Sequence, residues 1–165
     1  MFDFRELWKY KENSRIEAKK AVGGLPESIW ETYSAFANTS GGVILLGVEE
    51  LADKSLSSVW IPDADMLIED FLYRLGDGKT VSADILNSDS IRKEISDGNE
   101  IVIITVPKAG RDMRPIYIGS DPYSGTYKRE GEADIRCTRD EVSEMLRASG
   151  RMGQCCEPAS QEEDI

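Results

Sequence analysis

The sequence predicts an α+β fold: a mixed β-sheet with about three helices. Short apolar or alternating runs of strand character cluster along the chain, and helical patterns interrupt them irregularly. That distribution argues against a repeating βαβ wind. With 165 residues, the chain can bury one real core. Residues 1–150 read as one domain. The last fifteen, "RMGQCCEPASQEEDI", have no periodicity and read as a disordered tail or the start of a linker.

The first helix is "LPESIWETYSAFAN". Pro26 suits a first helical position, and Glu27 lies at the positive end of the helix dipole. Ile29, Trp30, Tyr33, Phe36 and Ala37 fall on one face. The helix should stop near Asn38, before Gly41-Gly42. "VILLGVE" then reads as a single central strand buried on both faces, and "SLSSVWI" as the next strand. "DADMLIEDFLYRL" is the second helix, with Asp63 as N-cap, an apolar stripe of Leu67, Ile68, Phe71, Leu72 and Leu75, and Gly76 at its end. "TVSADILN" alternates as a half-buried strand does. "EIVIITVP" is a strong strand after the turn "SDGN". "RPIYI" and "GTYKRE" read as two short strands. "TRDEVSEMLR" is the third helix, with a Thr138–Glu141 capping box and a stripe of Val142, Met145 and Leu146.

Composition removes several function classes. The chain has no histidine and three cysteines, Cys137, Cys155 and Cys156. A Ser-His-Asp or Cys-His nucleophile cannot be built, nor an imidazole or four-cysteine zinc site. The cysteine pattern is no disulfide framework and fits a reducing compartment. No apolar run approaches the ~20 residues of a membrane span. The N-terminus lacks the apolar core of a secretory signal, so the expected location is the cytoplasm. The net charge of −11 is unevenly spread. Residues 1–20 hold six Lys/Arg against four acids, and residues 49–100 hold five against thirteen. The chain has a basic entry and an acidic middle.

Three stretches bear on chemistry. "GGVILLG" is neither a P-loop, since no G-K-[S/T] follows, nor a dinucleotide fingerprint, since its glycines precede a strand. It reads as a left-handed helix exit into the sheet, with Asn38, Thr39 and Ser40 capping the turn. In "KENSRIEAKK", a strand through Glu17 would point Glu17 and Lys19 to one face. Acid-x-Lys on one strand face, joined by further carboxylates such as Glu49 or Glu50, suits a Mg²⁺- or Mn²⁺-dependent phosphodiesterase. The plainer alternative is a solvated charged segment. In "YSGTYKREGEADIRCT", Tyr127, Lys128 and Arg129 offer ring and charge to nucleic acid, or form an ordinary exposed strand.

Taken together, "ENSRIEAK", "LPESIWETYSAFANTSGGVILLGVEE" and the late "RPIY…GTYKREGEADIRCT" resemble the Schlafen AlbA-type domain, a DNA-binding domain of bacterial regulators that also forms the core lobe of vertebrate Schlafen proteins. The likeness spans roughly residues 8 to 148. It implies an α+β fold and a role on nucleic acid, DNA or RNA, in a transcriptional regulator or a defence protein. In nuclease members, two glutamates of the first motif and an acid after "GV" form a three-carboxylate metal site. The matching residues here are Glu12, Glu17 and Glu50, with Lys19 as their neighbour. Two positions depart from the family pattern: Ala18 replaces a common aromatic, and Glu50 stands where Asp is frequent. The resemblance implies that many bacterial relatives continue into further C-terminal domains, an ATPase-like segment and a winged helix, which are expected to lie outside this chain.

Three functions are thereby expected in turn. The first is a nucleic-acid-binding module contacting backbone through Arg15, Lys19, Lys20, Lys128 and Arg129. The second is a Mg²⁺- or Mn²⁺-dependent endoribonuclease using Glu12, Glu17 and Glu50. The third is an interaction module with a tendency to homodimerise.

Overall fold

The computed structural model of the protein describes residues 3–151. In chain order its strands are β1 (Ile16–Lys19), β2 (Gly42–Leu46), β3 (Val48–Glu50), β4 (Leu56–Ser58), β5 (Ile91–Ser96), β6 (Asn99–Val106), β7 (Tyr127–Glu130) and β8 (Ala133–Arg136). Its helices are α1 (Ile29–Asn38), α2 (Ala64–Leu75), the single turn α3 (Pro122–Gly125) and α4 (Arg139–Ala148), with a 3-10 helix over Phe4–Lys9. The fold is α+β, and the three longer helices are those read from the sequence, although α1 begins only at Ile29, so Pro26 and Glu27 lie before its Ser28 N-cap instead of in its first turn. The tail expected from residue 151 onward lies almost wholly outside the described residues.

A four-stranded sheet of order β1-β2-β6-β5 forms the centre, with β1 parallel to β2 and the other neighbours antiparallel. Alternation along β2 and β6 divides the core. Ile44, Leu46, Val102, Ile104 and Val106 face α1 and α2, where Trp30 stacks on Phe71 with ring centroids 4.9 Å apart. Val43, Leu45, Ile101 and Ile103 face the 3-10 helix through Phe4 and Leu7. Both faces of the central strands are thus dry, as their unbroken apolar runs require.

α1 is buried nearly all round, including Thr32, Ser34 and Asn38 on the face turned from the sheet. That second face carries the β7–β8 hairpin. Tyr127 N–H donates to Ser34 Oγ at 2.9 Å, and Asn38 Nδ2 donates to Tyr127 O at 2.9 Å and Ile116 O at 2.8 Å. Ile116 N–H returns a bond to Asn38 Oδ1 at 2.8 Å. The polar residues of "AFANTS" therefore clamp two distant segments onto the helix. The expected role of Asn38 and Thr39 as turn caps gives way to this, and the turn closes itself through Gly41 N–H to Phe36 O at 2.7 Å. Both glycines are needed there. Gly41 has φ +73°, and a Cβ on Gly42 would lie 2.9 Å from Arg15 O and from the Phe36 ring.

Four other expectations change. "VILLGVE" is two strands: Gly47, at φ +83°, breaks it and sends β3 into a separate hairpin with β4. "TVSADILN" makes only a bridge from Val81 to Ile118. The Tyr33 hydroxyl takes over its hydrogen bonding, donating to Ala83 O at 2.9 Å and accepting from Ile85 N–H at 3.0 Å. "RPIYI" likewise makes isolated bridges rather than a strand. Leu72 of α2 is exposed, while Leu67, Phe71 and Leu75 are buried and Ile68 is half-buried. Asp63 caps α2 through Met66 N–H, and the Thr138–Glu141 box caps α4. No helix among the described residues is long and apolar enough to cross a membrane.

Candidate functional site

Two charged constellations stand out, one along the outer edge of β1 and one at the end of the sheet.

The first begins with strand direction. Val43 N–H bonds Arg15 O, and Gly47 N–H bonds Lys19 O, so the main-chain groups of Ile16 and Ala18 point away from β2. A turn at Asn13, whose Oδ1 accepts from Arg15 N–H at 2.7 Å, folds Glu12 back along that bare edge. There Glu12 Oε2 accepts from Ala18 N–H at 3.0 Å. Ile16 O accepts from Asn13 N–H at 3.1 Å and from Arg129 Nη2 at 3.2 Å.

Glu17 and Lys19 do share a face, 3.6 Å apart. Glu17 also accepts from Arg129 Nη2 at 2.9 Å. Arg129 is the hub. Its side chain is 1% exposed, sits 4.9 Å over the Phe36 ring, donates twice to Asn13 O, and meets Asp134 at 2.7 Å. Its own N–H donates to Thr39 Oγ1 at 2.9 Å, and Asp134 accepts from Thr32 Oγ1 at 2.6 Å. Arg129 is therefore a buried bolt joining β1, α1 and the β7–β8 hairpin. The expectation that it contacts a nucleic-acid backbone does not survive its burial.

Glu12 and Glu50 converge, and the third carboxylate beside them is Glu132 of the β7–β8 turn: one oxygen from each lies within 4.8 Å of the others. Glu17 is absent from that group because its oxygens face Arg129 and Lys19. Glu50 also approaches Lys54 at 3.8 Å. Burial pushes the Glu12 carboxyl above its ordinary 4.5, the Ala18 N–H opposes the rise, and repulsion from Glu17, Glu50 and Glu132 adds to it. Three hard carboxylate oxygens at this separation fit the oxygen preference of Mg²⁺ or Mn²⁺. Glu132 and Asp134 were missed in the sequence. "EGEAD" looks like a solvated turn until the hairpin is docked on α1.

The second constellation is a cleft of about 200 Å³ where β1, β2 and β5 begin and β6 ends. Arg15, Arg92 and Lys108 line it with the hydroxyl residues Ser40 and Thr105, around a floor that includes Phe4 and Val43. No carboxylate residue lines it. Arg92 pairs with Glu94 at 2.7 Å. Arg15 and Lys108 are exposed, with no side-chain partner among the described residues.

The remaining predicted cations are engaged. Lys19 donates to Ser28 Oγ at 3.0 Å and faces Glu17, and Lys20 lies 3.8 Å from Glu49. Lys128 sits between Glu141 at 2.6 Å and Glu130 at 3.1 Å, and these two carboxylates raise its pKa. Lys108 and Arg92 had no local sequence signal, since only the sheet topology brings them to Arg15.

Comparison with known proteins agrees with this architecture. The model of the family described as Schlafen, AlbA_2 matches residues 10–138. No curated protein matches. The N-terminal domain of a DNA helicase RecG-related protein from Nitrosomonas europaea superposes with a TM-score of 0.61 at 27% identity, covering 84% of this chain and 95% of that one. The DIP2311 protein from Corynebacterium diphtheriae shares the fold, with a TM-score of 0.52 at 17% identity over 82% of this chain and 24% of that one. With the matched segment running from before β1 to the start of α4, the chain belongs to the Schlafen AlbA_2 family.

Proposed function

We propose that the domain binds nucleic acid, seating backbone phosphate at the cleft of Arg15, Arg92 and Lys108. The observation that carries this is the cleft's composition. In a chain of net charge −11, it gathers three cations and two hydroxyl residues with no carboxylate, and two of those cations have no side-chain partner among the described residues. Family membership and the helicase-related neighbour support the same reading. Guanidinium, ammonium and hydroxyl donors suit phosphate oxygens without reading base sequence. The acidic remainder of the surface keeps affinity modest and steeply salt-dependent.

Fluorescence anisotropy with labelled single- and double-stranded oligonucleotides at low salt tests the proposal. Wild type binds, and Arg15→Glu/Lys108→Glu loses binding. On single strands each lost contact flattens the slope of log K against log salt by about 0.7. Absence of binding at high micromolar protein refutes the reading.

A second reading is favoured by the convergence of Glu12, Glu50 and Glu132. These residues would hold Mg²⁺ or Mn²⁺, and the bound ion would supply an activated water and charge neutralisation for phosphodiester cleavage. Glu12 accepts from Ala18 N–H, which orients its carboxylate towards the cluster. Lys19 and Arg129 hold Glu17 beside it as a fixed negative charge. Thermal melting with Mn²⁺ reads the ion directly: Tm rises for wild type and not for Glu50→Gln. Incubation of tRNA with Mn²⁺ then compares cleavage by wild type with that by Glu17→Ala and Glu50→Gln. Equal cleavage by all three, or none, removes the nuclease reading.

A further inference from the structure

The opposite edge of the sheet is β5, "IRKEIS". Thr105 N–H donates to Ser90 O at 2.7 Å, which makes Ser90–Thr105 a hydrogen-bonded pair. The register then assigns Arg92–Ile103, Glu94–Ile101 and Ser96–Asn99 to the same class. Asp97 and Gly98, both at positive φ, close this hairpin as a two-residue turn. The N–H and C=O groups of Ile91, Lys93 and Ile95 therefore point away from β6. Among the described residues no hydrogen bond reaches them. Ile95 is 57% exposed.

We propose that β5 pairs with β5 of a second copy of this chain, antiparallel about a two-fold axis at Lys93. Only outward-pointing residues can exchange main-chain bonds, so Ile91, Lys93 and Ile95 must oppose odd-numbered partners. Three central registers satisfy that condition. Centring on Arg92 sets Arg92 against its own copy, and centring on Glu94 sets Glu94 against its own. Centring on Lys93 instead sets Arg92 opposite Glu94 of the second copy, twice by symmetry, and Ile91 opposite Ile95. Opposite charges in directly facing positions favour pairing, and like charges oppose it. The two Lys93 side chains meet at the axis. Each already lies 2.7 Å from Asp65 and 3.5 Å from Glu100, which neutralise it. The pairing is isologous, as a two-fold dimer requires. It joins two four-stranded sheets into one of eight.

A single six-residue strand buries less than the roughly 1,000 Å² of a stable complex, so the dimer forms at high protein concentration. The axis is perpendicular to the sheet, so the two Arg15–Lys108 clefts, each where β5 begins, lie at opposite ends of the joined sheet. That last consequence rests on the proposed nucleic-acid reading, while the pairing itself does not.

Sedimentation equilibrium without nucleic acid tests the inference. The wild-type mass rises above the 18.4 kDa monomer as concentration increases into the high micromolar range. Glu94→Arg remains monomeric, as does Lys93→Pro, which removes an outward N–H together with the ammonium that faces Asp65 and Glu100. Arg92→Glu/Glu94→Arg restores the dimer, because the swap recreates the facing charges. Thermal melts check that each variant is folded. A wild type that stays monomeric, a Glu94→Arg variant that dimerises like wild type, or a double swap that fails to restore dimerisation each overturns the proposal.

Discussion

The two outer edges of one sheet are treated in opposite ways. Along β1, side chains and a turn meet two of the four outward main-chain groups of Ile16 and Ala18: Glu12 on Ala18 N–H, and Asn13 and Arg129 on Ile16 O. Along β5, the outward groups of Ile91, Lys93 and Ile95 have none among the described residues, and charge alone guards them. Sealing the first edge draws Glu12, Glu17, Glu50, Glu132, Asp134, Lys19 and Arg129 together, so the densest chemistry in the molecule is also its edge protection. The bare edge leaves a surface that can be shared.

Breaking the seal should cost most at Arg129. Arg129→Met strands Glu17 and Asp134 with little solvent and no guanidinium, uncaps Asn13 O and leaves Ile16 O with the Asn13 N–H alone. Urea denaturation should show a loss of about 3–5 kcal/mol. Adding Glu17→Gln and Asp134→Asn should return part of it. Thr39→Val, which removes the acceptor for Arg129 N–H, should cost about 1–2 kcal/mol. The same substitution placed on each edge sharpens the contrast. Ala18→Pro deletes an N–H that Glu12 uses, whereas Lys93→Pro deletes one that nothing in the monomer uses. The β5 variant should therefore unfold at the higher urea midpoint of the two.

The smallest effect concerns protonation. The folded-state pKa of Glu12 is raised, so the folded chain holds its proton to higher pH than the unfolded chain does. Stability from this group is greatest below the ordinary 4.5, and falls as pH rises from there through the raised folded value. Glu12→Gln removes the half-buried charge and, with it, the repulsion from its neighbours, and should stabilise by less than about 1 kcal/mol at neutral pH, with no gain at pH 3.5. Parallel denaturant curves at the two pH values measure the difference. A divalent ion at Glu12, Glu50 and Glu132 should reverse the wild-type trend.

Much of this was legible in the sequence. The helices, the caps at Asp63 and Thr138, and the shared face of Glu17 and Lys19 follow from local periodicity and capping chemistry, which need only neighbouring residues. The failures are tertiary. Gly47 splits a run that looked continuous, and Tyr33 supplies hydrogen bonds that a strand at 80–87 would have found in a sheet. β5 was hidden because "RKE" at an edge reads as a solvated loop. Arg129 looked like a surface cation because nothing near it in sequence reveals Glu17 and Asp134 closing around it. Glu132 and Lys108 reach their partners only through the docking of a hairpin and the ordering of four strands.

The most direct test is a ¹⁵N-edited NMR titration of the domain with a short single-stranded oligonucleotide at low salt. Shifts concentrated at Arg15, Gly41, Gly42, Thr105 and Lys108, and abolished in Arg15→Glu/Lys108→Glu, are the predicted result. Binding that leaves those residues unmoved, or no binding at all, would contradict it.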